Sequence, residues 1–235
     1  MEIINKKDFI EIEFTGKTKE GEIFDSNIQK DMEKMHPDAK AKPFVFCIGE
    51  GMFLDAIDSF LIGKEVGKGY EIELVPEKSF GKRDPHLVKI IPLKIFREKN
   101  ANPYHGMVFN FDGNFGKILS VSGGRVITDF NNPLAGKDVE YDFTIKKIVS
   151  DNKEKVNAIQ RFIFGKEFEF EIDEAKKKII FSELQLMPIL NAFKEKFKEL
   201  LGFDVEILAK PKKEEAKEKK AEKNKDALEK PEMKK

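Results

Sequence analysis

Histidine and cysteine, which often serve as metal ligands or nucleophiles, are scarce in this sequence of 235 residues. The three histidines, His36, His86 and His105, lie far apart and lack the spacing of metal ligands, so no metal site is predicted. The single cysteine, Cys47, stands between apolar neighbours and is expected to be a small buried side chain. Phenylalanine is abundant instead, with 22 Phe and 3 Tyr but no Trp. These rings offer apolar surface with few hydrogen-bond donors, and no cluster typical of catalysis or cofactor binding accompanies them, so no cofactor is predicted.

The composition excludes several classes of protein. Charged residues reach 37%, but 43 Lys+Arg balance 43 Asp+Glu, so no overall field favours nucleic acid. The Lys/Glu excess and the single Cys resemble the composition of hyperthermophile proteins, and one Cys favours a reducing compartment. The first residues lack a basic segment followed by an apolar run, and no apolar stretch reaches the ~18 residues that span a bilayer. We therefore expect a cytoplasmic protein without a membrane partner.

The elements that must position the rings begin with an α+β pattern. Residues 10–14 alternate between apolar side chains and glutamate, which is typical of a half-buried strand. Further strands are predicted over 43–48 and 70–74, and the apolar spacing within 57–61 predicts one short helix that ends at Gly63. A few antiparallel strands around one helix indicate a half-barrel.

The pattern of apolar and turn residues changes between residues 88 and 131. Four strand-like runs are separated by turn residues at 112–114 and 123–124, and no helical period is present, so this segment is predicted to be a small all-β domain. The runs are Val88–Ile95, Met107–Phe111, Ile118–Val121 and Val126–Phe130. Alternation resumes over 139–145, which would return the chain to the first sheet. An insertion into one discontinuous domain, 1–87 with 132–150, explains this order better than tandem domains.

Residues 151–208 are predicted to form a third, mixed α/β domain. Its order is helix, strand, strand, helix and a last strand, with Pro188 opening the second helix and Gly202 capping its end. Because this block is small, we expect that it contributes to a homodimer. The final stretch, 209–235, is nearly all Lys, Glu and Ala and is predicted to be a disordered tail.

Several motifs in the first part of the chain resemble those of FKBP-type peptidyl-prolyl cis/trans isomerases. They occur in the family's order over some seventy residues: Phe14-Thr15-Gly16, Gly21, Phe24-Asp25-Ser26, Pro43 to Gly49, Phe53-Leu54, Leu61 to Gly67, and Pro76 to Gly81. The segment Asn131 to Lys137 resembles the end of the insert-in-flap domain of the SlyD-like subgroup, although His is common there in place of Asn132. The C-terminal block and the Lys-rich tail resemble the long archaeal members.

The resemblance implies an FKBP-type half-barrel and a set of pocket residues. Those expected to act in catalysis are Phe24, Asp25, Phe80 and Tyr141, and those expected to bind substrate are Phe14, Phe44, Phe53, Leu54 and Ile57. In the family the backbone N–H of Leu54 would bind the carbonyl of the prolyl peptide. Many relatives have Tyr where Phe14 and Phe80 stand and Trp where Ile57 stands. Phe80 therefore lacks the hydroxyl for one hydrogen bond to substrate, and Phe14 lacks the hydroxyl that would partner Asp25. Ile57 in place of Trp should widen the floor of the pocket.

The resemblance also implies an activity and its partners. The chain would accelerate isomerisation of X-Pro bonds by desolvation. The insert is too small to bury all its apolar residues, so it would bind unfolded or nascent polypeptides containing proline. Two alternatives stay open: a non-enzymatic holdase with a vestigial pocket, and a factor that contacts the ribosome through its tail.

Overall fold

The computed structural model describes residues 2–208, apart from the side chain of Leu184. The predicted disordered tail, 209–235, lies outside the described residues. The chain divides into two compact units, one ending at Val149 and one beginning at Ser150. No helix within residues 2–208 has the length and apolar character needed to cross a membrane.

The first unit contains nine strands and three helices in its described part. In chain order they are β1 (Phe9–Thr18), β2 (Ile23–Ser26), α1 (Gln29–Met35), β3 (Phe44–Cys47), α2 (Asp55–Leu61), β4 (Gly69–Leu74), β5 (Val88–Pro92), α3 (Leu93–Glu98), β6 (Val108–Phe111), β7 (Asn114–Ser122), β8 (Arg125–Asp129) and β9 (Val139–Ile148). They form two sheets.

The larger sheet has the order β2-β1-β9-β4, with β3 also paired to β1, and all its pairings are antiparallel. The alternation in β1 buries Ile10 and Ile12 completely. Against this face packs α2, which buries Ile57 and Leu61 at 0% exposure. The mixed α+β fold with an antiparallel sheet around a short helix is therefore confirmed. An additional helix, α1, forms in the segment that follows β2.

The second sheet is formed by the segment between β4 and β9 in the order β5-β8-β7-β6, all antiparallel. The prediction that this segment is all-β is wrong, because α3 occupies residues predicted to continue the first strand. Pro92 precedes α3 and ends the strand, and Phe96 on α3 is fully buried against Phe109 and Phe111. The core of this sheet thus needs a helix to cover it.

The second unit has the element order expected for its sequence: α4 (Asn152–Phe164), β10 (Phe170–Asp173), β11 (Lys178–Phe181), α5 (Met187–Leu201) and β12 (Asp204–Ile207). β10 and β11 are antiparallel, whereas β11 and β12 are parallel. Asp151 caps α4 by accepting a hydrogen bond from the Glu154 N–H at 2.9 Å. Gly165 and Gly202 end the two helices in the left-handed conformation.

Candidate functional site

A connected group of aromatic rings lies on the α2 side of the larger sheet. This ring cluster consists of Phe14, Phe24, Phe44, Phe46, Phe53, Phe80 and Tyr141. Phe24 meets both Phe80 and Tyr141 edge to face, with ring centroids 5.6 Å apart in each pair. Phe53 lies 5.7 Å from Tyr141 and 5.2 Å from Phe44. The structure thereby brings together every aromatic residue that was predicted for the pocket.

The predicted site residues divide into a buried layer and an accessible layer. Ile57, Tyr141 and Phe14 are 0%, 1% and 3% exposed, so they lie in the floor beneath the other side chains. The remaining apolar residues are half-buried and pack on that floor: Phe24, Phe44, Phe53, Leu54 and Phe80. A ligand that reaches the ring cluster would therefore meet this second group first.

A bulge between β1 and β2 positions Phe24. The register changes from Gly16↔Asp25 to Lys17↔Ile23, which leaves Phe24 as the extra residue. A bulge redirects a side chain that regular alternation would send to the other face. Gly16 makes room for the result, because a Cβ there would lie 2.8 Å from Tyr141 Cε1 and 2.9 Å from Phe24 Cε2.

Asp25 stands at the edge of the ring cluster. It aligns through Gly16 with Tyr141 across three neighbouring strands. Although part of the residue is exposed to solvent, desolvation by the surrounding protein raises the pKa of its carboxyl group, against a hydrogen bond from the Ser26 backbone. Burial also raises the pKa of Tyr141, and the negative charge of Asp25 adds to the rise. The charge of this partly exposed carboxylate thus acts on the Tyr141 hydroxyl.

The loop that carries Phe53 and Leu54 is anchored from α2. Asp58, only 3% exposed, accepts a hydrogen bond from the Gly49 N–H at 3.0 Å. Leu54 precedes the first turn of α2 and its carbonyl accepts from the N–H groups of Ile57 and Asp58. Among the hydrogen bonds within residues 2–208, none uses the backbone N–H of Leu54.

Asn27 and Phe46 were not predicted as site residues. The Asn27 side chain accepts a hydrogen bond from the Phe14 N–H at 2.7 Å and donates one to the Ile12 carbonyl at 2.8 Å, so it fixes the end of β2 against β1. Phe46, 1% exposed, supports Phe44 and Phe53 from below. The alternation of β3 was the available signal for Phe46, whereas no local pattern marks Asn27.

A cleft of about 810 Å³ adjoins the ring cluster at Phe53 and Leu54. It runs between α2 and β4, where Phe60 and Ile72 form apolar walls. Phe24, Asp25 and Phe80 do not line it. The cleft is therefore a neighbour of the ring cluster and not its interior.

One group of carboxylates within residues 2–208 has the proximity of metal ligands: Glu71, Glu140 and Asp142 offer oxygen atoms within 4.8 Å of one another. The Lys17 ammonium already binds two of them, at 2.5 Å from Glu140 and 2.9 Å from Asp142. Its hydrogen bonds to Glu140 and Asp142 raise the pKa of Lys17. A lysine thus neutralises much of the charge that would attract a cation.

Comparison with known proteins covers both sheets of the first unit. Residues 2–95 match the family model of the FKBP-type peptidyl-prolyl cis-trans isomerases, and residues 89–134 match a model described as the IF domain of FKBP26.

Three curated relatives illustrate the similarity. A short-type peptidyl-prolyl cis-trans isomerase of Methanocaldococcus jannaschii is 28% identical over 149 residues, which cover 62% of this chain and 94% of that protein. The FKBP-type 16 kDa peptidyl-prolyl cis-trans isomerase of Escherichia coli K12 is 30% identical over 112 residues, covering 46% and 74%. SlyD of Aeromonas hydrophila is 24% identical over 149 residues, covering 63% and 65%.

The family model and the E. coli relative agree with the ring-lined antiparallel sheet described above. The chain therefore belongs to the family of FKBP-type peptidyl-prolyl cis-trans isomerases and has SlyD-type homologues.

Proposed function

We propose that this isomerase acts on proline residues within unfolded polypeptides, as an insert-in-flap enzyme of the long archaeal form. In this proposal residues 1–87 and 132–150 form the isomerase domain, and residues 88–131 form an inserted chaperone domain. The ring cluster is the prolyl pocket. The observation that carries the proposal is that the half-buried Phe24 and Phe53 pack directly on the buried Tyr141, and that Phe80 packs on Phe24.

Desolvation by these rings would supply the catalysis. The prolyl amide rotates slowly because resonance stabilises its planar form, with a barrier of ~18–20 kcal/mol. Resonance separates charge, and water stabilises that charge in the planar state. A water-poor aromatic pocket removes this stabilisation, while the twisted transition state has lost most of its charge separation. Lowering the barrier by about 4–8 kcal/mol would accelerate rotation roughly 10³- to 10⁶-fold.

The polar groups at the rim would orient the substrate. The unused N–H of Leu54 is available to hold the carbonyl of the prolyl peptide during rotation. Asp25 lies close enough to Tyr141 for its charge to raise the pKa of that hydroxyl group. Since Phe80 lacks a hydroxyl group, the Leu54 N–H has more of the orienting role here than in relatives with tyrosine at that position.

Exposed apolar side chains on the second sheet support the chaperone part of the proposal. Ile90, Val108 and Phe115 are 63%, 58% and 65% exposed, and Tyr104 is 66% exposed. The core beneath them contains few fully buried residues, among them Phe96, Ile118 and Val126. Exposed apolar groups on such a small sheet would bind extended chains with little sequence preference.

The test compares two substrates with and without the insert. Deleting residues 88–131 and bridging the gap should change isomerisation of a prolyl tetrapeptide by less than about twofold, and should lower isomerisation of an unfolded protein by about tenfold or more. Phe80→Ala, in contrast, should lower both. Phe115→Ala removes a ring of the insert outside the ring cluster, so it should leave the tetrapeptide rate unchanged and lower only the rate on the unfolded protein. Equal losses on both substrates after the deletion would refute the division of roles.

The same tetrapeptide assay, read by exchange NMR, separates the enzyme from a holdase with a vestigial pocket, which would give no enhancement above background. The further partners we propose are nascent chains in the cytoplasm, a second copy of the chain bound through residues 151–208, and the ribosome. Salt-sensitive co-sedimentation would test the ribosome contact.

A further inference from the structure

The chain crosses between the two sheets of the first unit twice, and hydrogen bonds join the crossings. The outgoing segment, 81–87, follows Phe80, and the returning segment, 130–138, leads into the strand that carries Tyr141, so both crossings connect directly to the ring cluster. The Phe130 N–H donates to the Leu87 carbonyl at 3.0 Å, and the Gly136 N–H donates to the Gly81 carbonyl at 2.8 Å. The crossings are therefore tied at both ends.

Asp129 is the centre of the polar contacts between these ties. Its Oδ2 accepts from Arg83 Nη2 at 2.6 Å and from Nε at 3.1 Å. Its Oδ1 accepts from the backbone N–H and from Nδ2 of Asn131, at 2.9 and 2.7 Å. The Asp129 side chain is 13% exposed, whereas that of Arg83 is 51% exposed. Burial opposes ionisation of Asp129, but the bonds from Asn131 and Arg83 outweigh it and lower its pKa.

Asn131 completes the connection to the other crossing. Its Oδ1 accepts from the Asp84 N–H at 2.8 Å, and its Nδ2 donates to the Asp84 carbonyl at 2.9 Å. The Asn131 amide thus pairs with both backbone groups of Asp84, as a neighbouring strand would, and also donates a hydrogen bond to Asp129. These two bonds to Asp84 join positions that lie 47 residues apart in the sequence.

We propose that Arg83, Asp129 and Asn131 form a clasp that fixes the orientation of the second sheet relative to the ring cluster, and that this orientation delivers a captured chain to the prolyl pocket. The three are positioning residues, since none belongs to the ring cluster. The delivery part of the inference rests on the proposed function, whereas the orientation part does not. A substrate held in a fixed place reaches the pocket at a high effective concentration, which a loose connection would dilute.

The clasp gives two residues of the motif at 131–137 a structural role. Asn131 makes the paired hydrogen bonds to Asp84, and Gly136 brings its backbone against Gly81. The residue has a φ of +78°, which disfavours any side chain there, and a Cβ at Gly136 would be in van der Waals contact with Arg83 Cβ at 3.4 Å. The end of the insertion is thus built for close contact with residues 81–84.

The experiment measures orientation and activity on the full chain. Labels are attached to Glu22→Cys, which directly precedes β2 of the larger sheet, and to Arg125→Cys in the second sheet, with Cys47→Ala removing the native thiol. The distribution of distances between the two labels is recorded. Arg83→Ala and Asp129→Asn should widen this distribution and reduce kcat/KM on an unfolded protein about three- to tenfold, mainly through KM. The tetrapeptide rate should stay within about twofold, because the Gly81–Gly136 bond next to Phe80 is retained.

Lys82→Ala is the matched control, because it removes a neighbouring positive charge that pairs with Glu77 at 2.8 Å and not with Asp129. Arg83→Lys should restore part of the narrow distribution and part of the activity. An unchanged distance distribution in Arg83→Ala and Asp129→Asn would overturn the clasp, whatever the activity. If the wild-type kcat/KM were no higher on the unfolded protein than on the tetrapeptide, the proposed function would be refuted. The distance distributions would still show whether the clasp fixes the orientation of the second sheet.

Discussion

At the scale of single residues, the ring cluster depends on one missing side chain. Phe24 and Tyr141 approach each other over Gly16, where a methyl group would come within 2.8 and 2.9 Å of their ring atoms. Both contacts are with rings held by other rings, so neither can move aside freely. The space above the glycine is therefore part of the site.

Gly16→Ala should consequently damage both stability and activity. Overpacking of this kind costs about 1–3 kcal/mol, and the displaced rings should lower kcat/KM on a prolyl tetrapeptide about tenfold. The control is Gly69→Ala in the same sheet, whose Cβ would meet nothing closer than 3.8 Å. Thermal melting and the NMR exchange assay measure the two effects. A Gly16→Ala protein with wild-type activity would show that this approach of the rings is unimportant.

The buried carboxyl of Asp58 predicts a pH dependence of stability. Desolvation raises its pKa above the usual 3.8, against hydrogen bonds from the Gly49 and Gly51 backbone. The folded state thus binds the proton more tightly than the unfolded state, and the free energy of unfolding falls as pH rises through the raised pKa. Asn stays neutral, so the Tm of Asp58→Asn relative to wild type should increase between about pH 4 and pH 7.

Glu22→Gln, which changes an exposed carboxylate, is the comparison for this series. Its Tm relative to wild type should vary less across the same range. A difference between Asp58→Asn and wild type that is constant or shrinks with rising pH would contradict the argument.

The sequence contains much of this site but not its geometry. The order of aromatic motifs predicted which rings assemble through the resemblance to a known family, since Phe53 and Phe80 lie in loops that have no period of their own. The bulge that turns Phe24 toward Tyr141 has no local signature, since it depends on how β1 and β2 pair. The two-sided bonding of Asn27 was missed for the same reason.

At the scale of elements, the difference between prediction and structure lies in short helices. α3 has six residues, which is too short for a helical period to emerge beside the apolar run that precedes it. Pro92, at its start, was the available signal. α1 has no buried residue, so its sequence carries no apolar stripe. Tertiary contacts, which single-sequence patterns do not include, hold both helices: Phe96 packs α3 into the core, and Asp31 of α1 accepts a hydrogen bond from the Thr15 hydroxyl at 2.9 Å.

Because α3 closes the core of the second sheet, Phe96 should decide whether that sheet forms. Removing this fully buried ring costs about 3–5 kcal/mol, which is more than so small a core can lose. In Phe96→Ala, limited proteolysis should cut within 88–131, and isomerisation of an unfolded protein should fall while the tetrapeptide rate stays within about twofold. Ile95→Ala, at a neighbouring side chain that is 39% exposed, should resemble wild type. Protection of 88–131 in Phe96→Ala would show that the helix is dispensable.

At the scale of the whole molecule, the boundary at Val149–Ser150 offers a place to separate functions. We expect the full chain to sediment as a dimer and the fragment ending at Val149 to sediment as a monomer. The fragment contains the entire ring cluster and should keep the tetrapeptide rate within about twofold. Sedimentation velocity and the exchange assay test this together. A monomeric full chain would rule out the proposed dimer, and an inactive but folded fragment would mean that the isomerase needs residues beyond Val149.

The hydrogen bond from Phe130 to Leu87 has a practical consequence for protein engineering. Because the insertion starts and ends at adjacent backbone positions, an inserted domain needs only to have its two termini one strand spacing apart, about 5 Å. Any recognition module with paired terminal strands could be grafted there without stretching the path from Phe80 to Tyr141. Replacing the inserted domain would direct the same isomerase to a chosen client protein.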